Sequence, residues 1–205
     1  MKLGGWLCLL VISASTPSAM AAEPSVTDVQ VVNVHAGINR IPHFAADGRT
    51  ATVIQGWRGN GNAHGYNVFL VLLPSAEGMP LGVVDRIDSE SDVLRDDPFD
   101  GERTLGTVLF ARATLAGVRQ TVLIAAHLDE SQSGVLADHA TATVNVYRLV
   151  KSDGQIGTTP DYFELAWSTQ TTARYCNVDL ALASALSIPL PKDYDAPNKK
   201  DGCFD

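Results

Sequence analysis

Two histidines and their acidic neighbours offer the sharpest prospect of chemistry in this chain. The stretch Ala126-His127-Leu128-Asp129-Glu130 is followed by Asp138-His139. Side chains alternate along a strand, so His127 and Asp129 project to one side. A second strand starting near His139 places Asp138 and His139 within reach of them. Zinc and similar ions take three or four nitrogen, oxygen or sulfur ligands at about 2 Å. His127, Asp129, Asp138 and His139 are therefore the candidate ligands of a divalent metal, and a metal-dependent hydrolase is the enzymatic reading. The competing reading is a polar connection between strands whose His, Asp, Glu and Ser are solvated. No His-x-x-x-His signature reinforces the metal site.

A second constellation runs from Gln55 to Tyr66 through Trp57, Arg58, Asn60, Gly61, Asn62 and His64. Trp57 and Tyr66 offer flat apolar faces, while Arg58, Asn60, Asn62 and His64 offer hydrogen-bonding groups. That mixture suits a saccharide, a peptide or a protein edge. Asn60-Gly61 also reads as simple turn chemistry, and Trp57 then folds into the core instead of binding.

The third is acidic. Asp85, Asp88, Glu90, Asp92, Asp96, Asp97, Asp100 and Glu102 fall between residues 85 and 102. Asp88-Ser-Glu90-Ser-Asp92 has the alternation that opens a calcium loop. Val93, however, stands where the sharp-turn glycine belongs, and Phe99 where the bidentate glutamate belongs. A solvated loop is the simpler expectation. As a negative surface, the stretch makes the chain an acidic inhibitor of a basic envelope-directed enzyme in a further reading.

Other chemistry is missing. The chain has no Gly-x-Ser-x-Gly elbow, phosphate-binding glycine loop or dinucleotide fingerprint. Ser131 and Ser133 lie near His127 and Asp129, but proximity in sequence does not build a triad. No residue takes a catalytic role, and no organic cofactor is expected.

These residues need elements to position them. Asp47-Gly48, Asn60-Gly61 and Asp153-Gly154 favour the positive φ angles of tight hairpins. They predict hairpins joining residues 40–44 to 50–57, 50–57 to 66–73, and 141–151 to 162–168. Further strands are expected over 26–35, 81–87, 104–114 and 119–128, the last two joined by a short turn at Leu115-Ala116-Gly117-Val118. Strands 66–73 and 121–128 are apolar on both alternating faces, so both faces should be covered. Many short strands with frequent turns predict a mostly β fold, an antiparallel sandwich or barrel-like domain. A propeller is disfavoured because the blade-like stretch from Asp47 to Asp85 has no repeat.

One short C-terminal helix is expected over about 177–188, capped by Asn177 and stopped by Pro189. An extended tail, 189–205, follows. Cys176 and Cys203 are predicted to pair and tether that tail to the helix. Their spacing lacks the Cys-x-x-Cys pattern of a redox couple.

The first 21 residues read as a secretory signal. Lys2 precedes an apolar run, and Ala19-Met20-Ala21 forms a small-residue cleavage box. The run is too short for a membrane anchor. Cys8 leaves with the signal, so the two remaining cysteines meet an oxidising compartment, where thiols pair. Residues 22–205 then form a single exported domain, periplasmic or secreted. It carries 14 basic and 23 acidic residues, a formal charge of −9. That charge repels nucleic acid and anionic lipid, and no later stretch is long enough for membrane insertion. The leading expectation is a non-enzymatic binding or accessory module whose partner is a protein or a cell-envelope component.

Overall fold

The computed structural model describes residues 25–62, 64–75, 80–82, 84–85, 91, 93–98, 103–129, 139–152, 159–190, 194 and 200–203. Residues 1–24, with the expected signal, lie outside this set, as do Asp153-Gly154 and most of the acidic stretch.

The chain is mostly β. Six strands build one sheet: β1 (Val26–Val31), β6 (Val84–Asp85), β8 (Gly106–Leu115), β9 (Val118–Leu128), β10 (Ala142–Lys151) and β11 (Asp161–Gln170), in the order β1-β8-β9-β10-β11-β6. The second sheet runs β2 (Gly37–Ile41), β3 (Ala51–Arg58), β4 (Tyr66–Pro74) and β5 (Pro80–Gly82), with β7 (Leu94–Arg95) also paired to β4. Every pairing is antiparallel except the short parallel contact of β11 with β6. A single helix, α1 (Val178–Leu186), follows the strands among the described residues.

The expected hairpins form wherever the residues are described. Gly48 and Gly61 take positive φ, and the β8–β9 turn has positive φ at both Ala116 and Gly117. That double left-handed geometry matches the right-handed twist of the strands it joins. Two strands differ from expectation. Residues 26–35 form a shorter strand, Val26–Val31, with a bulge inside it where Asp28 adopts φ 53° and the register with β8 shifts between Thr27 and Gln30. Residues 81–87 do not form one strand: β5 belongs to the second sheet and β6 to the first.

β9 explains why a run can be apolar on both faces. Val122, Ile124 and Ala126 pack with Val144, Val146, Val178 and Leu182 beneath α1. Leu123 and the half-buried Ala125 join Phe44, Phe69, Phe110 and Phe163 on the side of the second sheet. Phe110 meets Phe44 and Phe69 edge-on, with centroids 5.9 and 6.0 Å apart. Each fully buried ring stabilises the fold by about 1.5–3 kcal/mol. The layers are helix, six-stranded sheet, second sheet.

Charged groups fasten the sheets as well. Arg49, just before β3, donates from both terminal nitrogens to Asp161 at the start of β11, at 2.8 and 2.7 Å. Its Nε donates to Asp47 at 2.7 Å. Arg112 on β8 donates to the carbonyls of Pro42 and His43 beyond β2. Asp161 is buried, so this bidentate pair substitutes for the water that both ions lose.

At the far end, Asn177 caps α1 by accepting the Asp179 N–H at 2.9 Å, and Ser187 closes it in the left-handed conformation. Cys176 and Cys203 are disulfide-bonded, with Cα atoms 5.0 Å apart. Cys176 N–H donates to Asp201 at 2.7 Å. Gly202 has φ 78°, and a Cβ there would lie 2.7 Å from that of Asn177. Only glycine lets the tail approach the helix cap so closely.

Candidate ligand-binding site

The histidine quartet divides. On β9, His127 is exposed with its Nε2 3.8 Å from Asp129 Oδ1. Asp129 accepts hydrogen bonds from Thr141 at 2.6 Å, Thr143 at 2.7 Å and Gln170 at 2.8 Å. Burial pushes the Asp129 carboxyl up, but these three donors, with His127 beside it, hold it below the usual carboxylate range. Its oxygens already have partners, which leaves little for a metal. His139 instead faces Asp201, at 3.9 Å. Asp138 lies outside the described residues.

Among the described residues, one set of three potential ligand atoms lies mutually within 4.8 Å: His139, Asp201 and Cys203. The sulfur of Cys203 is bonded to Cys176, so it offers no thiolate. His127, Asp129 and His139 therefore do not converge as one ligand set. The reason is register: His127 pairs with Thr143, while Ala140, next to His139, bridges to Tyr175.

The glycine-rich loop is a hairpin end whose asparagines serve the loop itself. Asn60 donates to the His64 carbonyl at 2.7 Å, and Asn62 accepts the His64 N–H at 3.0 Å. Trp57 is 55% exposed and is not a core residue. Its indole covers Gly65, where a Cβ would meet the ring at 2.2 Å. Arg58 and Tyr66, paired across β3 and β4, point to a different feature.

That feature is a cleft of about 590 Å³ where the β3–β4–β7 corner meets β8 and β9. Arg58, Tyr66 and Val68 line one side, Leu94, Arg95 and Asp97 another, and Val108, Ala125 and His127 a third. One member of the histidine quartet and two of the loop residues thus share a cavity, although some 60 residues separate them in sequence. Arg95 lies over the Tyr66 ring, 5.9 Å from its centroid. Asp97 rests against Gly106, where a Cβ would fall 2.0 Å from its carboxylate, and Gly106 pairs with His127. Beyond His127 the surface continues as the hydroxyls and amide around Asp129.

Asp96 is a correction to the acidic surface. It is 3% exposed, not solvated. It accepts the Val108 N–H and the Asn67 side-chain amide, both at 2.7 Å. Burial pushes its carboxyl up to about 6 despite those bonds. Asn67 also accepts from Gln55 at 2.9 Å, whose own Oε1 is buried without a partner. This network joins β3, β4, β8 and the residue after β7 directly behind the cleft. Asp85 contributes backbone to β6, Asp97 lines the cleft, and Asp88, Glu90, Asp92, Asp100 and Glu102 lie outside the described residues.

Sequence alone does not single out Arg95 or the small wall residue Ala125, and it places Asp97 only in the acidic stretch. An arginine directly before Asp96-Asp97, in an acidic run that also holds Arg86, was the available signal for Arg95. For the Asp129 donors it was Thr141-x-Thr143, spaced to face His127-x-Asp129 across a strand pair.

The fold and cleft define a two-sheet β domain with a helix on one face and an open cavity at a sheet corner. Its architecture is similar to that in the crystal structure of CarG, with TM-score 0.65 and 15% identity over 77% of this chain and 98% of CarG. At that identity the likeness concerns the fold alone. No protein-family model matches the chain, and no curated protein matches it.

Proposed function

We propose that this chain is an exported, non-enzymatic binding module that receives part of a protein or cell-envelope component in the cleft between β4, β7 and β9. The observation that carries the reading is the shared cavity of Arg58, Tyr66 and His127, drawn from two separate sequence constellations. A cavity of this size accepts a small molecule or a few residues of a polymer. Asp129 supports a binding role over metal chemistry, because its acceptor capacity is spent on Thr141, Thr143 and Gln170. The inhibitor reading loses Asp96, which is turned inward. Export draws support from the Cys176–Cys203 disulfide, and no described helix is long and apolar enough to cross a membrane.

Site-specific photo-crosslinking in cells tests the cleft. A photoreactive side chain at Val93, exposed and on the cleft wall, should give a discrete adduct that Tyr66→Ala weakens. The same group at Val118, exposed on the β8–β9 turn, should give none. Equal adducts from both positions, or insensitivity to Tyr66→Ala, would refute the site.

A further inference from the structure

The described arginines of this acidic chain sort into two groups. Arg49, Arg103, Arg112, Arg119, Arg148 and Arg174 each donate to a carboxylate, carbonyl or side-chain oxygen. Among the described residues, Arg40, Arg58 and Arg95 have no hydrogen bond or ion pair. Two of those three line one cleft. A guanidinium attracts nearby carboxylates strongly, so two left unpaired beside Asp97 in a chain of formal charge −8 call for an explanation.

We propose that Arg58 and Arg95 form an anion subsite that binds the carboxylate of an organic ligand, with the ligand's apolar body against Tyr66, Val68 and Ala125. This rests on the reading of the cleft as the ligand site and adds the ligand's chemistry. Arg95 is held over the Tyr66 ring, so its fork is oriented before any ligand arrives. Among the described lining residues Asp97 is the one carboxylate beside two guanidiniums, a surplus of one positive charge. That surplus matches a monoanionic carboxylate better than a dianionic phosphate. His127, from β9, supplies a further ring N–H donor to the cleft, and the half-buried Val68 and Ala125 supply apolar surface. Charge-assisted, bidentate contacts of this kind fix orientation as well as affinity.

Titration of the isotope-labelled protein, followed by NMR, separates the alternatives. The probes are N-acetylphenylalanine, its neutral amide and phenyl phosphate, each at millimolar concentration. The acid should shift the backbone amides of Tyr66, Val108 and His127 and the Nε–H signals of Arg58 and Arg95. The amide should bind at least about tenfold more weakly, as loss of a charge-assisted hydrogen bond implies. Arg58→Gln and Arg95→Gln should each weaken the acid about tenfold, whereas Arg40→Gln, unpaired but outside the cleft, should change nothing. Equal binding of acid and amide in the cleft would overturn the anion subsite while leaving the cleft as a ligand site. Tighter binding of phenyl phosphate than of the acid would overturn the carboxylate assignment. Shifts confined to the separate groove of Trp167 and Tyr175 would overturn subsite and cleft together.

Discussion

Two carboxylates on neighbouring elements show how environment, not residue type, sets chemistry. Asp129 faces three donors and a histidine and stays ionised, whereas Asp96 is buried behind the cleft with its carboxyl raised to about 6. In the unfolded chain the Asp96 carboxyl returns to about 3.8. Between those values the folded state keeps a proton that the unfolded state releases. Stability therefore falls as pH rises through that window, by up to about 3 kcal/mol. Urea unfolding below and above the window should show this loss in the native protein and not in Asp96→Asn. An unchanged pH slope in the variant would mean that another group is responsible. Trp57 makes the opposite point: large and aromatic, yet on the surface. Trp57→Ala should cost about 1 kcal/mol or less, against the roughly 3–5 kcal/mol of a core tryptophan. Thermal melts distinguish the two.

Turn chemistry carried most of what could be read about the elements. Asp47-Gly48 and Asn60-Gly61 located the β2–β3 and β3–β4 hairpins, and the run from Thr121 to Leu128 announced a strand covered on both faces. The helix, its Asn177 cap and the disulfide followed from equally local signals. What stayed hidden depends on contacts between distant residues. Nothing near Val26 or Arg112 announces that β1 pairs with β8, and nothing in Leu81–Asp85 says that the chain passes from one sheet to the other. The candidate site was half legible for the same reason. Arg58, Tyr66 and His127 stood out by type, but only tertiary structure brings them to one cavity. The tail depends on its covalent tether. Cys176 and Cys203 are separated by 27 positions, so by the chain-entropy model reduction should cost roughly 3.6 kcal/mol. Unfolding with and without reductant measures it. Thiol labelling of the denatured, unreduced protein should find no free cysteine in the described pair.

At the scale of the whole molecule, two sheets are joined by an aromatic core and by polar clamps, and the cleft opens at their corner. The Arg49–Asp161 pair links the sheets directly. Asp161→Asn leaves the half-buried Arg49 guanidinium with only the exposed Asp47 as a charged partner, and should cost about 3 kcal/mol in chemical denaturation. A change below about 0.5 kcal/mol would show that the Arg49–Asp161 pair does not fasten the sheets. Fastened in this way, β4, β8 and β9 present the cleft as a preformed cavity, so ligand should enter without large backbone movement. The most direct measurement is an amide shift map of the isotope-labelled protein against soluble extract of its own cell envelope. Perturbations should centre on Tyr66, Val68, Arg95, Val108 and His127, and be lost in Arg58→Gln with Arg95→Gln. Perturbations centred instead on the Asn60–His64 loop tip or the Trp167–Tyr175 groove, with the cleft silent, would contradict that expectation.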